Sequence, residues 1–186
     1  VSPHRTQRPW QGRQENVADA LRPEYDENCY LCPGNTRSGG ARNPAYTDTF
    51  VFVNDFPALL PDTPDIHMEN DSLFRAEAER GICKVICFSP RHDLSVANMP
   101  LEAVAGVVAV WQREYEAFQT HPDIAYAQIF ENKGAIMGCS NPHPHCQIWA
   151  EELIPDLPAT EARKQDEYFA RSRSRMLLDY ARDEVK

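Results

Sequence analysis

The densest run of chemically capable side chains is Gly138-Cys139-Ser140-Asn141-Pro142-His143-Pro144-His145-Cys146-Gln147-Ile148-Trp149. In an extended chain successive side chains alternate faces. His143, His145, Gln147 and Trp149 are therefore expected on one side, with Pro144, Cys146 and Ile148 on the other. A row of imidazoles and an amide needs partners, because burying one unpaired amide or hydroxyl costs roughly 2–7 kcal/mol. The row is expected to face a metal, a ligand or water. Pro142 and Pro144 each fix a torsion and remove a backbone donor. The segment is thereby stiffened, and a pre-oriented nucleophile is the chemistry that such stiffness serves. Gly138, Cys139 and Ser140 lie just upstream, where free N–H groups and a hydroxyl can line a hollow for phosphate.

The second constellation is Cys29-Tyr30-Leu31-Cys32. A Cys-x-x-Cys pair on a tight turn presents two thiolates to one tetrahedral ion such as Zn2+. His143 is the natural third ligand. His92, in the loop Ser89-Pro90-Arg91-His92 that follows an apolar strand, is the expected fourth. Taken alone the pair is ambiguous, since a thioredoxin-like redox couple has the same spacing. Cys29 is not placed between a strand and a helix, which counts against that reading, and the His-Pro-His segment favours zinc. His4, His67 and His121 are expected to be exposed or locally hydrogen-bonded. The six cysteines do not read as a disulfide framework: Cys83 and Cys87 sit in an apolar run, and Cys146 stands between His145 and Gln147.

Stepping these groups into place requires strands and a helix. Residues 1–48, rich in Pro, Gly, Asn and Arg, read as loops around the Cys-x-x-Cys turn. Thr49–Val53 reads as a strand stopped by Asn54-Asp55, residues 57–72 as a Pro- and acid-rich surface loop, and Lys84–Phe88 as a buried strand. Pro100 opens a helix that runs to Thr120. Leu101, Val104, Val108, Trp111, Tyr115 and Phe118 recur on it at spacings of three and four, which predicts one buried stripe. Asp123–Phe130 and His145–Ala150 are further strands. From Thr160 the text is helical, with Tyr168, Phe169, Met176, Leu177 and Tyr180 as expected core. The pattern is α+β, a mostly antiparallel sheet covered by helices.

Charge narrows the partners. With 19 Lys plus Arg against 28 Asp plus Glu the net charge is −9, which disfavours a nucleic-acid polymer. Arg5, Arg8 and Arg13 with His4 form a local cationic patch suited to a small anion, or simply a solvated end. No apolar run is long enough for a bilayer and no segment reads as a secretory signal, so no membrane partner and a cytoplasmic setting are expected. The chain opens at Val1 without Met, which suggests that residues precede it.

The stretch from Phe130 to Trp149 resembles, almost letter for letter, the active-site segment of the galactose-1-phosphate uridylyltransferase family. Val1–Gly12, Cys29–Asn35, Val53–Leu59 and Ile86–Pro90 resemble other blocks of it, in the same order, across nearly the whole chain. The fold implied is of the histidine-triad type, an antiparallel sheet half-barrel with flanking helices. Other histidine-triad proteins show a third His where Gln147 stands. As a single domain, residues 1–186 would be the N-terminal half of a two-domain chain, the other half repeating the fold.

The resemblance implies roles. His145 would attack the α-phosphorus of UDP-glucose, its ring oriented by a backbone carbonyl near His143, and Gln147 would hold a phosphoryl oxygen of the uridylylated intermediate. Gly138, Cys139, Ser140, Arg5 and Arg8 would meet the phosphates, while Asn54, Asp55 and Asn132 would border the uridine. Cys29, Cys32, His92 and His143 would bind zinc, and Glu161 would serve a second structural metal, iron or zinc. The implied partners are UDP-glucose and UDP-galactose, galactose 1-phosphate and glucose 1-phosphate, and a second copy in a homodimer whose sites are shared. Cys146 is given no role. Two rival readings stand beside this one: a hydrolase or phosphorylase of the same fold, and a zinc-stapled module without chemistry.

Overall fold

The computed structural model describes residues 22–69, 74–134 and 137–186. Its centre is an open four-stranded sheet in the order β1-β4-β6-β5, formed by β1 (Phe50–Val53), β4 (Gly81–Cys87), β6 (His145–Glu151) and β5 (Tyr126–Phe130). Every neighbouring pair is antiparallel. A separate two-stranded ribbon pairs β2 (His67–Glu69) with β3 (Arg75–Glu77). Part of the segment read as a surface loop is thus a strand, too short and too polar to be seen as one. β4 begins three residues earlier than expected, at Gly81, and β5 begins only at Tyr126.

Register decides which residues share a face, because directly opposed residues point the same way. Cys87 lies opposite both His145 and Phe50, and Val85 opposite both Gln147 and Phe52. Ile86 faces Cys146 and Lys84 faces Ile148 on the other side. That second side is the main core. Ile86, Cys146, Ile148 and Ala150 meet Val107, Val110 and Phe118 of helix α1 (Leu101–Gln119), with Phe88 and Met99. The first side carries Phe50, Phe52, Val85 and Cys87, covered by Cys29, Leu31 and Cys32 of the N-terminal loops. One face therefore stores the apolar core, and the opposite face holds the chemistry.

The stripe expected on α1 is displaced. Leu101 is 83 % exposed, Val108 49 % and Tyr115 43 %, while Val107 and Val110 are buried. The cause is a polar pair inside the contact. Lys84 projects from the helix-covered side of β4, its Nζ 2.7 Å from Glu114 Oε2 and 4.8 Å from the centre of the Phe118 ring. Glu114 thus belongs to the buried side of the helix, which an apolar count assigns to the wrong face.

The C-terminal text forms two helices, α2 (Asp156–Ser172) and α3 (Met176–Glu184), broken where Arg173 takes a left-handed φ of 56°. They pack on one another, and Asp179 is held by the Tyr168 hydroxyl at 3.0 Å and the Ser174 hydroxyl at 2.8 Å. Neither helix buries a residue. Phe169, Leu177 and Tyr180, expected in the core, are exposed, and Tyr168 and Met176 are half-buried. Periodicity marks which side of a helix is apolar and says nothing of what covers it. Among the described residues no helix is long and apolar enough to cross a membrane.

Candidate active site and metal centre

Strand β6 alternates as its sequence predicts: Cys146, Ile148 and Ala150 are buried, while His145, Gln147 and Trp149 are half-exposed on the opposite face. His143 departs from the expected row. It precedes the strand, and its ring is buried, only 1 % exposed, among thiols rather than beside His145. The two prolines separate the rings into different environments while keeping their backbones adjacent. The Phe88 N–H caps the segment by donating to the Pro144 carbonyl at 2.9 Å.

Cys29, Cys32, His92 and His143 are all buried, and one ligand atom from each lies within 4.8 Å of all the others. Cys32 Sγ stands 3.5 Å from His143 Nδ1 and 3.7 Å from His92 Nδ1. Around an ion bound at the usual Zn–N and Zn–S lengths, the edges of a tetrahedron measure about 3.3–3.8 Å. The two separations from Cys32 match such edges. The surroundings fit a cation as well. His143 Nε2 donates to the Ser89 carbonyl at 2.9 Å and stands 3.1 Å from the Tyr46 hydroxyl, which itself donates to the Leu31 carbonyl at 2.7 Å. With its proton on Nε2, the ring turns the Nδ1 lone pair toward the cluster. The Leu31 N–H points at Cys29 Sγ, 3.4 Å away, and Asn43 and Asn35 amides hold the turn's carbonyls. Burial pushes the Cys32 thiol up to about 12 and the His143 imidazole down to about 4, and it lowers His92 too. Unaided, the pocket keeps these groups uncharged, so a thiolate here requires a cation beside it. The residues therefore fit a buried metal ion.

One residue of backbone, Pro144, separates His143 of this cluster from His145 on the half-exposed face. His145 Nδ1 donates to the His143 carbonyl at 2.7 Å. In a neutral ring the proton is then on Nδ1, and Nε2 keeps its lone pair. The ring lines two clefts. One, of about 340 Å³, is also lined by Arg22, Asn132, Lys133 and Cys139. The other, of about 210 Å³, is lined by Tyr30, Phe52, Asn54, Asp55, Phe56, Ser140 and Gln147. Trp149 Nε1 donates to Gln147 Oε1 at 3.2 Å. The amide oxygen is occupied, and the amide NH2 remains to donate to an anion.

The other expected site residues distribute as follows. Asn54 and Asp55 lie at the second cleft and Asn132 at the first, so these three do not border one pocket. Asn54 Oδ1 accepts the Phe56 N–H at 3.1 Å, a local turn that explains why β1 stops there. Asp55 is already paired: its Oδ2 is 3.2 Å from Arg37 Nε and accepts the Gly39 N–H at 3.2 Å, while the Arg37 guanidinium sits 4.2 Å over the Phe52 ring. Ser140 and Cys139 fall on different clefts, and the Cys139 thiol donates to the Asn141 carbonyl at 2.9 Å. Gly138 is exposed, with a φ of 78° that favours glycine, and lines neither cleft. Glu161 is exposed on α2, outside the buried cluster. Arg5 and Arg8 lie outside the described residues. All six cysteines are free thiols. The sequence placed Trp149 on the right face without a role, and it gave no role to Tyr46, Ser89 or Asn141. Only Asn141 had a local signal, an Asn before Pro, which favours a turn closed by its own side chain.

Solved structures share this fold. A uridylyltransferase structure superposes with a TM-score of 0.63 at 25 % identity, covering 82 % of this chain and 48 % of that one. An ADP-glucose phosphorylase from Arabidopsis thaliana with bound ADP-glucose gives 0.60 at 22 %, covering 82 % and 49 %. The fold is thus that of uridylyltransferases and a sugar-nucleotide phosphorylase. Sequence narrows it further. The family model described as galactose-1-phosphate uridyl transferase, N-terminal domain, matches residues 1–155. A galactose-1-phosphate uridylyltransferase of Cryptococcus neoformans is 48 % identical over the whole chain, one of Haemophilus influenzae 47 % and one of Rattus norvegicus 45 %. The chain belongs to the galactose-1-phosphate uridyl transferase family. It spans about half the length of the curated relatives it matches, from 48 % to 52 % of these three.

Proposed function

We propose that the chain supplies the nucleophile-bearing part of an enzyme that moves UMP from UDP-glucose to galactose 1-phosphate through a uridylyl-histidine. The observation that carries this reading is the 2.7 Å bond from His145 Nδ1 to the His143 carbonyl, which commits Nε2 to attack. His145 Nε2 forms a bond to the α-phosphorus of UDP-glucose as the bond to the bridging oxygen breaks. Glucose 1-phosphate leaves with that electron pair. The uridylyl-imidazole keeps its Nδ1 proton, and the His143 carbonyl stabilises the positive ring. A phosphate oxygen of galactose 1-phosphate then attacks the same phosphorus, the N–P bond breaks, and its electrons return to Nε2 as UDP-galactose departs.

The Gln147 NH2 holds a phosphoryl oxygen through both displacements. Ser140 and Cys139, with the exposed turn at Gly138, approach the phosphates from the two clefts, and Arg5 and Arg8 add cationic contacts. The second cleft, with Phe52, Phe56, Asn54 and Asp55, suits the nucleoside, while Asn132 serves from the first. Zn2+ held by Cys29, Cys32, His92 and His143 would supply a structural clamp, joining the Cys-x-x-Cys turn and the His92 loop to the segment that carries His145. Glu161 would serve a second structural metal, iron or zinc, with ligands that the described residues do not provide. The working form would be a cytoplasmic homodimer of two-domain chains with shared sites, residues 1–186 being one domain.

The test is a mass spectrum of the full-length protein after mixing with UDP-glucose and no sugar phosphate. A transferase stalls with one UMP on His145, and galactose 1-phosphate releases it. A hydrolase would lose the adduct to water under the same conditions, and a phosphorylase would stall but release its UMP to inorganic phosphate rather than to galactose 1-phosphate. His145→Ala should fold, retain metal and carry no adduct. Turnover near the parent rate in that variant would overturn the assignment.

A further inference from the structure

Asn141 is a buried polar side chain, 4 % exposed, that the proposed chemistry leaves unused. It sits between the metal cluster and the strand that bears His145. Its Oδ1 accepts the His143 N–H at 2.9 Å, closing a turn over Pro142. Its Nδ2 and Oδ1 each lie 3.5 Å from Cys29 Sγ, across 112 residues of chain. The backbone contact fixes the amide's orientation, since only the oxygen can accept an N–H. A thiolate bound to a metal has no proton to give that oxygen, so of the two amide atoms beside the sulfur the NH2 is the one that bonds to it, as donor. The Asn141 carbonyl accepts the Cys139 thiol at 2.9 Å. One side chain thus ties a metal ligand to the peptide N–H of the residue whose carbonyl holds the His145 ring.

We propose that Asn141 is a positioning residue with separable halves: its NH2 secures the Cys29 thiolate, and its oxygen sets the turn that aims the His143 carbonyl at His145. This rests on the reading of His145 as the nucleophile, but only for the second half. The N–H that Oδ1 accepts and the C=O that His145 uses belong to the same residue, so rotation of that backbone misdirects the imidazole. A nucleophile displaced by about 1 Å can lose on the order of 100-fold in rate. Outer partners of metal ligands typically contribute about 10–100-fold in affinity.

The halves are separated by two substitutions in the full-length protein. Asn141→Asp keeps an oxygen for the His143 N–H and loses the N–H donor to sulfur. Asn141→Ala loses both. Two quantities are read: zinc transfer to a chromogenic chelator, and single-turnover labelling of His145 by UDP-glucose with zinc in excess. Asn141→Asp should release zinc about tenfold faster than the parent and still label within about threefold of its rate. Asn141→Ala should release zinc as fast and label on the order of 100-fold more slowly, with the UDP-glucose KM little changed. A general loosening of the fold would slow both variants alike and raise KM. Equal slowing of labelling in both, or zinc retention at the parent rate in both, overturns the proposal. Should the parent protein itself carry no label on His145, the uridylyl-histidine reading fails, and zinc release still decides the role of the NH2.

Discussion

In the proposed reaction the attacking histidine must be stopped from rotating and from offering the wrong nitrogen, and one hydrogen bond from His145 to the His143 carbonyl would do both. Gln147 is handled by the same logic two residues on. Its amide could point either way in a cleft, but Trp149 Nε1 occupies the oxygen at 3.2 Å and leaves the NH2 as the group that would meet the proposed phosphate. The next residue on this face of β6 therefore selects the polarity of the one before it. Removing an anion-stabilising donor of this kind typically costs about 100–1000-fold in rate. Gln147→Ala should show a loss of that size in quenched single-turnover labelling of His145. Trp149→Phe removes the orienting bond, worth about 1 kcal/mol, keeps an aromatic ring beside Phe130, and should slow labelling about fivefold. If Trp149→Phe labels at the parent rate, the indole does not orient the amide.

At the scale of elements, the pairing of β4 with β6 places Val85 and Cys87 under Gln147 and His145, and it begins at a glycine for a steric reason. A Cβ on Gly81 would come within 2.3 Å of the Ala150 carbonyl oxygen and 2.8 Å of Leu59 Cδ1. The backbone neighbour cannot give way without parting the strands. Gly81→Ala should cost about 1–3 kcal/mol, read as a lower urea midpoint at unchanged m-value. The extent to which sequence foretold these elements follows from how local each cause is. The alternation on β6 needs only the strand itself, and it was legible. The gathering of Cys29, Cys32, His92 and His143 was also expected, from residue type and the Cys-x-x-Cys spacing rather than from any local pattern that joins the four. The buried side of α1 depends on Lys84 reaching Glu114 from another element, across 30 residues, and apolar spacing misplaced it. Tyr46 and Asn141 act on groups 97 and 112 residues away, and no local pattern marks such a contact for Tyr46.

For the molecule as a whole, the face of the sheet that bears the candidate site has a small core in which Leu31, Val85 and Cys87 pack beside Cys29 and Cys32 of the Cys2His2 cluster. Without an ion, burial favours the neutral forms of Cys32 and His143. Cys32 is pushed up to about 12 and His143 down to about 4. The consequence for metal binding has a definite sign. Below pH 12 the Cys32 proton is present in the metal-free fold and must leave when a metal binds. Affinity should therefore rise with pH, about tenfold per unit for that proton. Protonation of His143 opposes binding only near pH 4 and below, so it does not bend the line between pH 6 and 8. Structural zinc contributes on the order of 10 kcal/mol to folding. Chelation of the full-length protein should accordingly lower its melting temperature and release His143, and with it the carbonyl that holds His145. Zinc competition against a chelating dye of known pH dependence, run at several pH values with melting curves in parallel, measures both effects. A pH-independent affinity, or a melting temperature untouched by complete metal removal, would show that the cluster does not hold the site together.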